Sequence, residues 1–251
     1  MAVDALEEKE VTKHGGGPAA LPKRFYKLAS TGEGGVVLLD GKPARTTARQ
    51  PFCAGPPALA GAIVEEWNAQ RDVIDFAAMP MTRFQMTVID RGGADAEHWR
   101  NAILAFLRTD LLCYRAAAPA ELAARQRAQW DPLLAWAASE GVALDAASGV
   151  GYIDQPAQAL ERGAAMIAAA DAAQLLAMKT AAEIAGSAVI ALAMARGAFG
   201  SEALFEASRV DEAFQAEKWG SDAEAEARTR LLKRDFLDAA RYSTLSASIA
   251  G

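Results

Sequence analysis

Cysteine and histidine are scarce in this 251-residue chain, with two of each. Two cysteines alone cannot form a disulfide framework. Cys53 lies between Phe52 and Ala54, and Cys113 between Leu112 and Tyr114. Free cysteine packs as a small hydrophobe, so these settings predict two buried thiols. His14 and His98 have no second His or Cys at ligand spacing, which excludes a zinc site of the usual kind. No nucleophile elbow accompanies His98, so it reads as an ordinary surface or half-buried residue. Phosphate-binding signatures are missing too. Gly15-Gly16-Gly17, Gly32-Glu33-Gly34-Gly35 and Gly149-Val150-Gly151 match neither a P-loop nor a dinucleotide fingerprint, so no cofactor and no metal are expected. Long apolar runs are absent. The most apolar stretch, Thr180–Ala195, falls short of the about 20 residues that cross a bilayer. Glu183 and Ser187 interrupt it, and a buried central helix is expected there. The acidic start, with Asp4, Glu7, Glu8 and Glu10, lacks the apolar core of a signal peptide. The expectation is a cytoplasmic protein with no membrane insertion. A basic excess is also lacking, since the formal net charge is -6. Broad nucleic-acid binding is therefore disfavoured.

What is present is a globular composition, 52% hydrophobic and 23% charged. Alanine contributes much of it, and alanine is the best helix former. Residues 1–22 carry charge and a glycine run and read as a flexible tail. Arg24–Ala29 and Val36–Leu39, separated by Thr31–Gly35, read as strand, turn and strand. A third extended piece is expected around Ala44–Thr47. A helix should begin near Pro57, with Leu59, Ile63 and Trp67 on one face. Val73–Phe76 reads as extended, and Pro80 opens the next helix. Asp90-Arg91-Gly92-Gly93 reads as a linker. Ala94–Leu107 is helical, Leu111–Arg115 extended, and Pro119–Ser139 one long helix or a pair kinked at Pro132. Val142–Ile153 suggests a hairpin or an irregular crossing. Helices are expected over Gln155–Ala169, Asp171–Arg196, Ser201–Trp219 and Asp222–Tyr242. The last presents Leu232, Phe236 and Ala240 inward. The fold class is thus α+β: an N-terminal α+β domain with antiparallel strands over 23–92, then a helical domain over 93–245.

Adjacent carboxylates at Glu65/Glu66 and Asp211/Glu212 could serve acid–base chemistry, yet neighbours on a helix point about 100° apart. Solvated helix faces are the simpler reading for Glu65/Glu66. The block Arg209–Asp222 is more informative. On a helical wheel Ala207, Val210 and Phe214 form an apolar face. Asp211, Gln215 and Lys218 line a polar stripe, and Glu212 and Trp219 share a neighbouring one. Gly220 can end the helix, and Ser221 or Asp222 can cap the next. Trp219 either plugs the corner between the two helices or is offered to a partner as an interface anchor.

At this point the chain resembles the assembly chaperones that act on the alpha subunit of F-type ATP synthase in mitochondria and alphaproteobacteria. The resemblance runs over roughly residues 24–240. It is carried by Arg24-Phe25-Tyr26 with Leu39–Pro43, by Glu66-Trp67-Asn68-Ala69-Gln70, and by Met79-Pro80-Met81-Thr82 with Ile89-Asp90. Asp110–Ala116, Trp130-Asp131-Pro132 and Asp211–Gly220 complete it. The resemblance implies an α+β domain followed by an orthogonal helical bundle. It also implies a monomer that binds the unassembled alpha subunit, prevents its aggregation and delivers it to assembly, without catalysis. By motif position it implies that Glu212, or alternatively Asp211, matters for function, with Gln215, Lys218, Trp219 and Trp67 as further client-binding residues. For Trp67 a partly structural role is expected. The alternatives are an enzyme using Asp211, Glu212 or His98, and a generic interaction scaffold.

Overall fold

The computed structural model describes residues 21–149 and 151–247. The expected tail lies outside this range except for Leu21 and Pro22, and the Pro22 carbonyl already accepts a bond from the Ile74 amide at 2.8 Å. Three short antiparallel strands follow: β1 (Ala29–Thr31), β2 (Val37–Leu39) and β3 (Lys42–Pro43), in that order across the sheet. Ala29 lies opposite Leu39 and Leu38 opposite Pro43. The first strand therefore begins at the end of the expected stretch Arg24–Ala29, and a single bridge between Lys23 and Val73 precedes that stretch. Gly34 and Gly35 make the turn between β1 and β2 with φ of 67° and 75°, a conformation glycine adopts without steric cost. The third extended piece is shifted as well, since β3 precedes Ala44 and only an isolated Arg45–Pro51 bridge continues it.

Helix α1 (Pro57–Ala69) has proline in its first turn, and Leu59, Ile63 and Trp67 are all buried, as their spacing requires. A single 3₁₀ turn at Phe76–Ala78 leads into α2 (Pro80–Arg108). The expected linker Asp90–Gly93 is corrected here, because it is the middle of this 29-residue helix. Gly92 is buried, and a Cβ on it would lie 3.0 Å from the Ala172 Cβ. Its small size serves a close helix crossing rather than a hinge. Asp90 accepts bonds from the Thr46 hydroxyl and, at 3.0 Å, the Ala48 amide, tying the strands to α2.

A 3₁₀ turn at Leu111–Cys113 precedes β4 (Tyr114–Arg115), which pairs in parallel with β5 (Ala147–Ser148). Among the described residues of Val142–Ile153, β5 is the only strand, and it pairs with β4 rather than within the segment as the hairpin would. Between them α3 (Ala120–Ser139) is one helix with Pro132 inside it. The remaining helices are α4 (Ala157–Ala168), α5 (Ala172–Ala185), α6 (Ala188–Ala195), α7 (Ser201–Ala207), α8 (Val210–Trp219) and α9 (Ala223–Ser246). Two expected helices are thus each divided. Gly186, at φ 68°, ends α5, and the Ser187 hydroxyl caps α6 by accepting the Ile190 amide at 3.0 Å. The second break falls at Ser208–Arg209. Residues Ala188–Met194 are all buried, so α6 forms the centre of the bundle.

Buried Asp110 holds that centre together. One carboxylate oxygen accepts the Leu112 amide at 3.1 Å and the other the Val189 amide at 3.0 Å. Desolvation raises its carboxyl to about 6, with the Val189 bond the largest opposing influence. Cys113 is buried as expected, and burial pushes its thiol up to about 12. Cys53 departs from expectation: it is exposed, between buried Phe52 and Ala54. Extended chain alternates its side chains, so burying both neighbours turns Cys53 outward.

Candidate functional site

Helix α8 stands on its apolar face, with Val210 and Phe214 buried. Its polar stripe divides in a way that a wheel cannot show. Asp211 accepts a 2.7 Å bond from the side-chain amide of Gln126 on α3. Gln126, itself buried, accepts in turn from the Ala116 amide at 2.8 Å. Lys218 pairs with Glu121 at 2.8 Å, and Arg125 pairs with Glu217 at 2.7 Å and Glu121 at 3.0 Å. The Lys218 hydrogen bond, with Arg125 nearby, holds the Glu121 carboxyl below its ordinary value. Arg125 and Lys218 also lie 5.2 and 5.3 Å from the Phe214 ring centre. Asp211 and Lys218 are therefore turned toward α3 and fix α8 in place. Deeper in this contact, the buried Trp130 indole donates to the Ala207 carbonyl at 2.7 Å, at the break between α7 and α8.

Beside this contact with α3 the surface of α8 is open. A hollow of about 830 Å³ is bounded by the end of α5 (Glu183–Gly186), by Arg209, Asp211, Glu212 and Gln215, and by Arg228 and Leu232 of α9. A second, of about 670 Å³, lies between Ala213 and Ala216 of α8 and Ala225 and Thr229 of α9. Both include Arg209, Glu212, Arg228 and Leu232, so they form one groove with Glu212 at its middle. Arg209 braces this point, donating to the Ile184 carbonyl and pairing with Glu212 at 3.0 Å. Glu212 and Gln215 are exposed, as is nearly all of the first two turns of α9. Gly220, at φ 84°, ends α8, and Asp222 caps α9 by accepting the Ala225 amide at 2.7 Å.

Trp219 is 78% exposed at the end of α8. It does not plug the corner between α8 and α9. Trp67 shows the packing role expected of it. It is only 4% exposed and packs edge-on against Tyr26 and Phe76, with ring centres 5.5 and 6.0 Å away. The residues around it form a clamp. Glu66 accepts the Met81 and Thr82 amides at 2.7 and 2.8 Å, capping α2. Burial raises the Glu66 carboxyl, and these two bonds oppose the rise. Asn68 both donates to and accepts from the Ala29 backbone, at 3.0 and 2.8 Å, closing the outer edge of β1. Gln70 accepts the Asp75 amide at 2.8 Å. Trp67 therefore belongs to the core of the N-terminal region.

The carboxyls that burial raises, Glu66, Asp110 and Asp238, all lie outside the groove. Among the described residues no group of three or more His, Cys, Asp or Glu gathers to hold a metal. No described helix is long and apolar enough to cross a membrane. His98 is exposed on α2. Sequence reasoning missed Gln126, Arg228, Leu232 and the α5 end, which meet α8 only through the fold. The Gly186-Ser187 pair was the available signal, because it breaks an otherwise continuous helix and creates one wall of the groove.

Comparison with known proteins agrees with this architecture. The family model described as ATP12 chaperone protein matches residues 23–138. The crystal structure of Atp12 from Paracoccus denitrificans superposes with a TM-score of 0.86 at 37% identity, over 90% of this chain and 99% of that one. An aspartate-to-lysine mutant of the same bacterium's Atp12p gives a TM-score of 0.86 at 36% identity, over 90% and 98%. A protein from Agrobacterium tumefaciens described as a candidate chaperone gives 0.82 at 39% identity, over 90% and 85%. With more than a third of its residues identical over nearly the whole length of a solved Atp12, this chain belongs to the ATP12 chaperone family.

Proposed function

We propose that this protein holds the unassembled alpha subunit of an F-type ATP synthase, prevents its aggregation and delivers it to assembly of the catalytic sector. The client-binding surface is the outer side of α8, with Glu212, Gln215 and Trp219, together with the facing turns of α9. Asp211 and Lys218 support it from behind through α3. One observation carries this reading: Trp219 stands 78% exposed on the helix whose Glu212 divides an open groove. Tryptophan is a favoured anchor at interfaces. Unassembled subunits expose apolar surface that their neighbours later cover, so a holder that releases to the native partner requires no catalytic group and no nucleotide. The protein acts as a cytoplasmic monomer.

Mixing the purified protein with free alpha subunit should give a complex on size-exclusion chromatography and suppress light scattering by the subunit on warming. Absence of both effects, with the subunit still unassembled, would overturn the proposal. Reversing the charge at Glu212 with Glu212→Lys should weaken protection while leaving the helical circular dichroism unchanged.

A further inference from the structure

The N-terminal sheet carries a feature that the groove at α8 does not use. The chain as a whole is acidic, at -6. Between positions 23 and 49, however, the chain carries Lys23, Arg24, Lys27, Lys42, Arg45 and Arg49 against Glu33 and Asp40, a formal surplus of +4 along this stretch. Among the described residues none of these basic side chains makes an ion pair, and all but Arg24 are exposed. Arg24 is engaged differently, with its guanidinium over the Tyr26 ring and bonded to the Tyr26, Lys27 and Gln70 carbonyls.

Within this basic region lies a pocket of about 320 Å³ with an aromatic floor of Phe25, Tyr26 and Trp67 and a rim that includes Lys42 and Arg45. Asp40 also lines it, but its two oxygens accept the Lys27 and Leu28 amides at 2.9 to 3.0 Å. Those bonds hold the Asp40 carboxyl below its ordinary value. The apolar surface here is unpartnered: Phe25 is 73% exposed and the neighbouring Leu28 61%. The buried indole N–H of Trp67 has no acceptor among the described residues.

We infer that this pocket is a second protein-docking site, which takes an acidic peptide segment carrying an apolar side chain. The apolar side chain fills the aromatic floor, and flanking carboxylates meet Lys42 and Arg45. Charge complementarity selects the sign of the segment, and the aromatic floor selects a protein side chain over a sugar-phosphate backbone. The site is separate from the groove at α8, so either can fail without the other.

The test uses the full chain and fluorescence anisotropy with a labelled acidic peptide, EEDLFEE, at low and moderate salt. It should bind about tenfold or more tightly than KKKLFKK, more tightly than EEDSGEE, and weaken as salt screens the contact. Lys42→Glu with Arg45→Glu should reduce binding about tenfold, whereas the same charge change at Arg127→Glu with Arg196→Glu should leave it within about twofold. Phe25→Ser should reduce it without touching the charge. Equal binding of acidic and basic peptides, or equal losses in both double variants, would overturn the inference. So would tighter binding of an oligothymidylate through the same residues, which would assign the patch to nucleic acid. A gain of about tenfold on Glu7→Lys, Glu8→Lys and Glu10→Lys would assign the pocket to the chain's own acidic N-terminus and likewise overturn it.

Discussion

Two tryptophans, each next to a charged residue on a helix, have opposite fates. Trp67 follows Glu66 and is 4% exposed, and Trp219 follows Lys218 and is 78% exposed. The difference lies in what surrounds them. The neighbours of Trp67 are all engaged with backbone groups: Glu66 with α2, Asn68 with β1 and Gln70 with Asp75. Around Trp219, Lys218 and Glu217 reach back to α3, and Gly220 ends the helix before any element can cover the ring. The first motif builds the fold. The second is built by the fold and presented by it.

Substitution should separate the two, beginning with the largest effect. Trp67→Ala removes a buried ring and should cost about 3–5 kcal/mol in urea unfolding, whereas Trp219→Ala should stay within about 0.5 kcal/mol and instead lower protection of the alpha subunit. The acids should sort the same way. Asp110→Asn leaves the Leu112 or Val189 amide facing an NH₂ group and should cost about 1–3 kcal/mol. Its pH dependence follows from a folded carboxyl near 6 against an ordinary 3.8. The folded state binds this proton more tightly, so the stability contribution is full at low pH and is lost as pH rises through about 6. Unfolding free energies of parent and Asp110→Asn, compared from pH 4 to pH 7, should show the parent's advantage shrinking by about 1 kcal/mol or more across that interval. Glu66→Ala uncaps α2 and should cost about 1–2 kcal/mol by thermal or urea melting. Glu212→Lys breaks only an exposed pair with Arg209 and should change stability by less than about 1 kcal/mol, with its effect read in client protection. If Glu212→Lys unfolded the protein as readily as Trp67→Ala, the contrast between the two motifs would collapse.

Local chemistry was legible in the sequence wherever neighbours along the chain decide it. Pro57 and Pro80 opened helices where expected, and Val210 and Phe214 were buried as their spacing demands. Gly220 and Asp222 ended one helix and capped the next. Errors arose where a distant contact decides. Gly92 looked like a linker because glycine usually loosens a helix, but here Ala172 packs against it. Ser187 looked like a blemish in an apolar helix, yet with Asp110 it starts a new one. Three of the six residues expected to bind the client also make distant contacts within the chain. Asp211 and Lys218 meet α3 residues about 85 or more positions away in the chain, and Trp67 meets Tyr26. A wheel gives the direction of a side chain but not what stands opposite it.

The most direct test of the account is hydrogen exchange on the complex with the free alpha subunit. Amides of α8 and the first turns of α9, over residues 210–232, should gain protection on binding, while α1 around Trp67 should exchange unchanged. Protection spread over α1 with none at α8 and α9 would contradict the central claim that Trp219 and Glu212 face the client.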